Sequence, residues 1–271
     1  MTNLIDSTTE FADQVALITG GGSGIGQAIA QRWAAGGGIA AVLGRRESAL
    51  AETVDLIESA GGRAIALPSC DIRDHEAVAA SIQALIDQTG RLDALVNNAA
   101  GNFVVPGEAL SPRGWKSVID IVLNGSFHAT SAAGRHMLAA GSGAILNVIA
   151  TYAWHGHPGT VHSAAAKAGV VAMTRTLAVE WAARGVRINC IAPGPTETAG
   201  AGAALWPDDQ ARSHVLSSVP TQRFATPEEI AESAVYLLSS RASYITGEVL
   251  VADGGQWLGK AIYTDPGQAR G

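Results

Sequence analysis

Cysteine is nearly absent from this sequence. The two present in 271 residues, Cys70 and Cys190, have neither CxxC nor metal-ligand spacing, and both fall inside apolar runs. That argues against a disulfide framework and a structural zinc, and fits reduced core thiols. Aromatic residues are scarce at 5%, and 18 Lys and Arg face 24 Asp and Glu, for a formal charge of −6. With no basic stripe and no interleaved aromatics, nucleic-acid binding is not expected. No apolar run is long enough to span a bilayer. The first residues lack the charged and apolar regions of a leader, and the final QARG is no targeting tripeptide, so the expectation is a cytoplasmic protein that does not enter membranes.

The chain is rich in small and apolar residues, with 47% hydrophobic, 15% charged and 32 glycines. Such a chain can bury a large core and pack helices closely on a sheet. Short runs of Val, Ile and Leu recur at 15–20, 39–44, 64–70, 94–100, 144–150, 187–192 and 249–255, separated by longer helix-like segments. These runs are continuous and do not alternate with polar residues. Strands buried on both faces of a parallel sheet read this way, and helices between them imply βαβ crossovers. The expected fold class is α/β, a doubly wound Rossmann fold of about seven parallel strands with helices on both faces. No Pro/Ser-rich linker splits residues 1–271, so one catalytic domain is expected. One long interval, about 194–226, follows a strand's carboxyl end and is rich in Gly, Pro and small residues. It reads as a substrate loop, or alternatively as a surface insertion.

The first strand runs into TGGGSGIG, Thr19–Gly26, and a helix follows at once. A glycine pattern between a strand and a helix is a dinucleotide fingerprint: Gly20 permits a tight turn, Gly24 and Gly26 allow close approach, and the helix start faces a pyrophosphate. After the second strand, where an acidic residue would select NAD, the chain has Gly44, Arg45 and Arg46. A guanidinium can form forked bonds to a 2′-phosphate, so the expected cofactor is NADPH; the alternative is a pair of solvated helix-start arginines. Asp71, in CDIRD, can accept from an adenine amino group, and NNAAG places Asn97 beside the cofactor.

Together TGGGSGIG, NNAAG, SAAAKAG, the PGP that follows IA, and the late DGG resemble the short-chain dehydrogenase/reductase family, from about residue 13 to 258. The usual catalytic tyrosine of that family lies four residues before the lysine, and a serine thirteen before the tyrosine. Here those positions hold Ser163 and Ala150, and Val122 holds the place of the usual asparagine. The 2,4-dienoyl-CoA reductase branch departs in the same respects. The chain is similar to it in NNAAGNF (97–103), VLNG (122–125), Tyr152 fifteen residues before Lys167, and Ser163. The resemblance implies that Tyr152 and Asn124 polarise the substrate, that Lys167 binds the nicotinamide ribose, and that Ser163 supports the site. It implies a cofactor set of Thr19, Gly20, Gly22, Ser23, Gly24, Ile25, Gly26, Arg45, Arg46, Asp71, Ile72, Asn98, Ala99, Lys167, Pro193, Gly194 and Thr196. Arg73 and Phe103 would meet substrate, and the assembly would be a homotetramer.

A ketone reductase needs its acid on the oxygen adjacent to the hydride acceptor, whereas a dienoyl thioester accepts hydride several atoms from its carbonyl. The acid must therefore move, and two donors, Tyr152 and Asn124, would stabilise the charge on the thioester oxygen. Tyr152 could instead pack at the mouth of the cleft. His155, His157 and His162 titrate near neutrality but read as loop or pocket-wall residues, His162 being the best placed beside Ser163. In the resembling enzymes the loop after PGP carries a basic residue for CoA phosphates; AGAGAALW has Ala203 and Ala204 there, so a smaller enone stays open as substrate. A catalytically silent NADPH-binding protein is the third alternative.

Overall fold

The computed structural model describes residues 9–198, 200, 206 and 208–259. Its frame is a seven-stranded sheet of β1 (Val15–Thr19), β2 (Ile39–Leu43), β3 (Arg63–Leu67), β4 (Ala94–Asn97), β5 (Gly143–Val148), β6 (Val186–Pro193) and β7 (Val249–Ala252). All pairs are parallel, in the order β3-β2-β1-β4-β5-β6-β7. The strands alternate their side chains between two apolar layers, which explains why their sequences are apolar throughout. In β1, Ala16 and Ile18 join Ile29 and Trp33 of α1 (Gly24–Ala35), Leu50 of α2 (Glu47–Ser59) and Val235 of α8 (Pro227–Leu238). Val15 and Leu17 face the other layer, with Ile82 of α3 (His75–Thr89) and Met137 of α5 (Gly125–Ala140). Cys70 and Cys190 are both free and buried.

The chain leaves β1 toward β2 and β3 on one side and returns at β4 to build the other. This reversal opens a crevice beyond the carboxyl ends of β1 and β4. Thr19 fastens the two strands there: its hydroxyl donates to Val96 O at 3.2 Å and accepts from the Asn98 and Ala99 amides, each at 3.0 Å. Except for β6, which continues to Pro193, the strands stop before their apolar runs do, because the backbone turns away within a residue or two. Gly20 has φ +65°, Ser69 +59° and Gly254 +63°, left-handed conformations that no strand continues.

Two further helices close the second half, α4 (Pro112–Ile119) and the long α6 (Val161–Trp181). Between α4 and α5 lies a turn of π-helix, Asp120–Asn124. The interval 194–226 holds a helix that its composition concealed, α7 (Asp209–Ser217), started by Asp208 accepting from the Ala211 amide at 2.8 Å. Arg212 of α7 pairs with Glu197 at 2.6 Å and lies over the Phe224 ring, which ties the interval to its own base. Ala203, Ala204 and Leu205 lie outside the described residues. Among the described residues no helix is long and apolar enough to cross a membrane.

Candidate active site

The glycine loop shapes the near wall of the crevice. Gly20 and Gly24 both take left-handed backbone (φ +65° and +55°). Gly26 is required by packing, since a Cβ there would sit 2.5 Å from both Gly20 O and Asn98 Nδ2. Ser23, the N-cap of α1, gives its helix no side-chain cap, so the first amides of α1 are free to meet an anion. The cavity beyond has a volume of about 560 Å³. Gly20, Gly22, Ser23, Gly24, Ile25, Arg45, Arg46, Asp71, Ile72, Asn98 and Ala99 line it, and Thr19 and Gly26 support it from behind. Arg45 and Arg46 are exposed, and Arg46 donates to Ser23 Oγ at 3.3 Å.

Asn97 turns inward instead. Its amide donates to Thr130 Oγ1 and Asn147 Oδ1, both at 2.8 Å, and Asn147 donates in turn to Thr174 of α6 at 2.9 Å. Asn97 therefore braces the sheet against α5 and α6 while Asn98 meets the cavity. Asn102, which sequence reasoning did not single out, also lines the cavity. Its Nδ2 is buried and without an acceptor. An orphaned donor, a glycine cradle, an uncapped helix start and two exposed guanidinium groups together fit a phosphorylated dinucleotide. Pro193 ends β6, and Gly194 and Thr196 follow it, all three outside the lining of this cavity. There Gly194 donates to Ala252 O at 2.9 Å and Thr196 is buried.

The second cluster follows β5. A 3-10 turn, Thr151–Ala153, carries half-buried Tyr152, and the first two turns of α6 carry Ser163 and Lys167, one turn apart and both buried. Tyr152 Oη and Ser163 Oγ are 3.2 Å apart. Burial raises the Tyr152 pKa, with the Ser163 bond opposing, so the phenol stays a neutral donor. Lys167 Nζ donates to Val148 O at 2.5 Å, and burial pulls its pKa down to about 8. The displaced tyrosine thus meets the serine in the old tyrosine position, beside the lysine.

Asn124 stands apart from these hydrogen bonds, on the π turn, whose Leu123 packs against α6 3.0 Å from where a Cβ on Gly169 would be. Val122 is buried in an apolar cluster with Val118, Ala166 and Val170, whereas Asn124 is exposed. Two residues along a helix face roughly opposite ways, at about 100° per residue, which explains why the asparagine cannot occupy position 122 and the open side at once.

Around Tyr152 the loop is aromatic. The His157 ring lies 5.8 Å from that of Tyr152, and Trp154 meets Trp257 edge-on at 5.9 Å. His162 is fully buried against Phe103, ring centroids 4.4 Å apart; burial lowers its pKa while the Phe103 backbone partly opposes. His155 bonds Thr151 Oγ1. Arg73 is engaged with its neighbour: its guanidinium grips the Asp71 carboxylate, the shortest contact being 2.6 Å.

The family model described as enoyl-(acyl carrier protein) reductase matches residues 20–256. A Bacillus subtilis protein named "Probable 2,4-dienoyl-CoA reductase [(2E)-enoyl-CoA-producing]" is 49% identical over 247 residues, covering 90% of this chain and 97% of its own. A short chain dehydrogenase from Bacillus anthracis superposes with a TM-score of 0.84 at 44% identity, over 93% of this chain and 99% of that one. A Beutenbergia cavernae protein assigned as an NAD(P)-dependent gluconate 5-dehydrogenase, with NADP bound at low occupancy, gives a TM-score of 0.87 at 37% identity, again over 93% and 99%. The chain belongs to the short-chain dehydrogenase/reductase family.

Proposed function

We propose that this oxidoreductase is a cytoplasmic, NADPH-dependent reductase of conjugated acyl thioesters, with a 2,4-dienoyl-CoA as substrate. The observation that carries the reading is the Tyr152–Ser163 contact at 3.2 Å: the phenol lies outside the usual tyrosine position, yet the residue in that position holds it. The name of the Bacillus subtilis relative supports the substrate class, and the NADP-bound homologue together with the exposed Arg45 and Arg46 supports the cofactor.

Bound NADPH supplies the hydride. The ammonium of Lys167, which donates to Val148 O, would also donate to the nicotinamide ribose. Reduction at the far end of the diene sends negative charge through the conjugated system to the thioester oxygen. Tyr152, kept neutral by burial, donates its O–H there, and the Asn124 carboxamide supplies a second donor in the manner of an oxyanion hole. Water then protonates the dienolate. Protonation at the α-carbon leaves a 3-enoyl product, and protonation at C4 leaves the 2-enoyl product stated in the name of the Bacillus subtilis relative.

A smaller enone is the second reading, favoured by one observation: Arg73, a basic residue expected to meet substrate, is already paired with Asp71. Following NADPH absorbance with 2,4-hexadienoyl-CoA separates the two. Turnover supports the dienoyl thioester; turnover of simple enones alone moves the assignment to the second reading, and cofactor binding without turnover of either refutes catalysis. The single catalytic domain is expected to assemble as a homotetramer, and light scattering at about four times 27.7 kDa would support this.

A further inference from the structure

Lys116, Asp120 and Asn124 follow one another at intervals of four residues, from the last turn of α4 through the π turn. On an exposed helix a Lys–Asp pair at this spacing is ordinary and contributes only about 0.2–0.5 kcal/mol. Here the carboxylate has a second partner. Asn124 Nδ2 donates to Asp120 Oδ1 at 3.0 Å, while Lys116 Nζ donates to Asp120 Oδ2 at 2.5 Å. Since an ionised carboxylate only accepts, the end of the carboxamide facing Asp120 must be its nitrogen. One N–H is used, and the other is left for a ligand. Released from this bond, the amide could rotate to present its oxygen, which would repel a thioester oxygen instead of stabilising it.

A carboxylate bonded to the donor of an oxyanion would by itself oppose the reaction. Its charge is answered: the Lys116 bond first, with Asn124 and the field of Arg73, holds the Asp120 carboxyl below the usual carboxylate range. Asp120 and Asn124 are the first and last residues of the π turn, in keeping with the frequent use of such turns at functional positions.

We propose that Asp120 is a positioning residue for the reduction, aiming an N–H of Asn124 at the substrate's carbonyl oxygen while Lys116 neutralises its charge. The proposal rests on the reading of Asn124 as an oxyanion donor. Its strongest test is Asp120→Leu, which keeps the side-chain size and removes the acceptor. With 2,4-hexadienoyl-CoA, kcat should fall about 10- to 100-fold with KM little changed, because the aim matters most when charge is on the oxygen. The dissociation constant for NADPH and the melting temperature should stay close to those of the parent enzyme.

Asp120→Asn retains one acceptor for two donors, Lys116 and Asn124, and should lie between. Pairing it with Lys116→Met leaves that acceptor to Asn124 and should recover most of the rate, a rescue that a merely structural role does not produce. In an Asn124→Ala background, Asp120→Leu should cost nothing more. An undiminished loss in that background, or full rate in Asp120→Leu alone, overturns the proposal. Full rate in Asn124→Ala alone overturns the oxyanion reading beneath it, which keeps the two failures distinct. Should Asp120→Leu fail to fold, the Asp120→Asn and Lys116→Met pair decides: no recovery over Asp120→Asn refutes the proposal.

Discussion

The cofactor crevice and the catalytic cluster are built from different materials. The crevice is made of backbone: glycines with left-handed φ, an uncapped helix start, and a wall that a single added Cβ would fill. The cluster is made of side chains whose properties are set by burial, Lys167 and Ser163 buried and Tyr152 held between the two layers of solvent and core. Shape governs the first region and desolvation the second. A family can therefore keep the crevice nearly constant and still change its chemistry by moving one phenol.

The sharpest blow to the comparison is Tyr152→Phe, which removes one O–H and no packing. Losing one such donor typically lowers kcat by about 10²- to 10³-fold; the NADPH dissociation constant should not move, and a parallel weakening of NADPH would show that the regions are not separable. Lys167 tests desolvation directly. Below pH 8 it is charged in both the folded and the unfolded chain, and the folded chain carries the desolvation cost. Above its folded pKa of about 8 the folded chain releases the proton while the unfolded chain holds it toward 10.5, so the lysine's contribution to stability rises through that window. The full rise is about 3 kcal/mol for a shift of this size, of which about 2 kcal/mol falls between pH 8 and 10. Denaturation of the apoprotein at pH 8 and 10 should show it relative to Lys167→Met, while activity falls over the same range as the ammonium is lost.

On the crevice side, Arg45→Ala with Arg46→Ala should weaken NADPH about 10- to 100-fold and leave NADH nearly unchanged, as expected for charged bonds to one phosphate. Equal losses for the two cofactors in fluorescence titrations would remove the 2′-phosphate role. An effect of similar size is expected on stability from Gly26→Ala, whose methyl must push aside Gly20 O and Asn98 at 2.5 Å. Overpacking of this kind typically costs about 1–3 kcal/mol. A melting temperature equal to the parent's would mean that the loop yields, and that shape matters less than argued.

The two regions were also unequally legible in the sequence. Strand count, parallel pairing and the glycine loop follow from apolar runs and local spacing, because a doubly covered sheet and a tight turn impose themselves on neighbouring residues. The catalytic pair does not: Tyr152 and Ser163 are eleven residues apart, and only the family resemblance brought them together before the geometry did. Asn97 and Asn98 show the limit within one motif, since adjacent residues at a strand end face opposite ways, and composition does not say which one faces the cavity. The π turn left no local signal beyond the two-residue offset of Asn124 from Val122. α7 lay hidden in a Gly-rich interval, though Asp208 followed by a polar run is a capping signal that could have exposed it.

The cavity wall has one property that reaches past binding. Apart from Thr198 and Gly200, every residue lining it lies between positions 20 and 121, while Asn124, Tyr152, Ser163 and Lys167 all come later. Cofactor preference and acid placement are thus written in successive stretches of the gene. Recombination near residue 122 could exchange one while inheriting the other whole, and a designer wishing to change the electron donor can edit the first stretch and leave the chemistry unread.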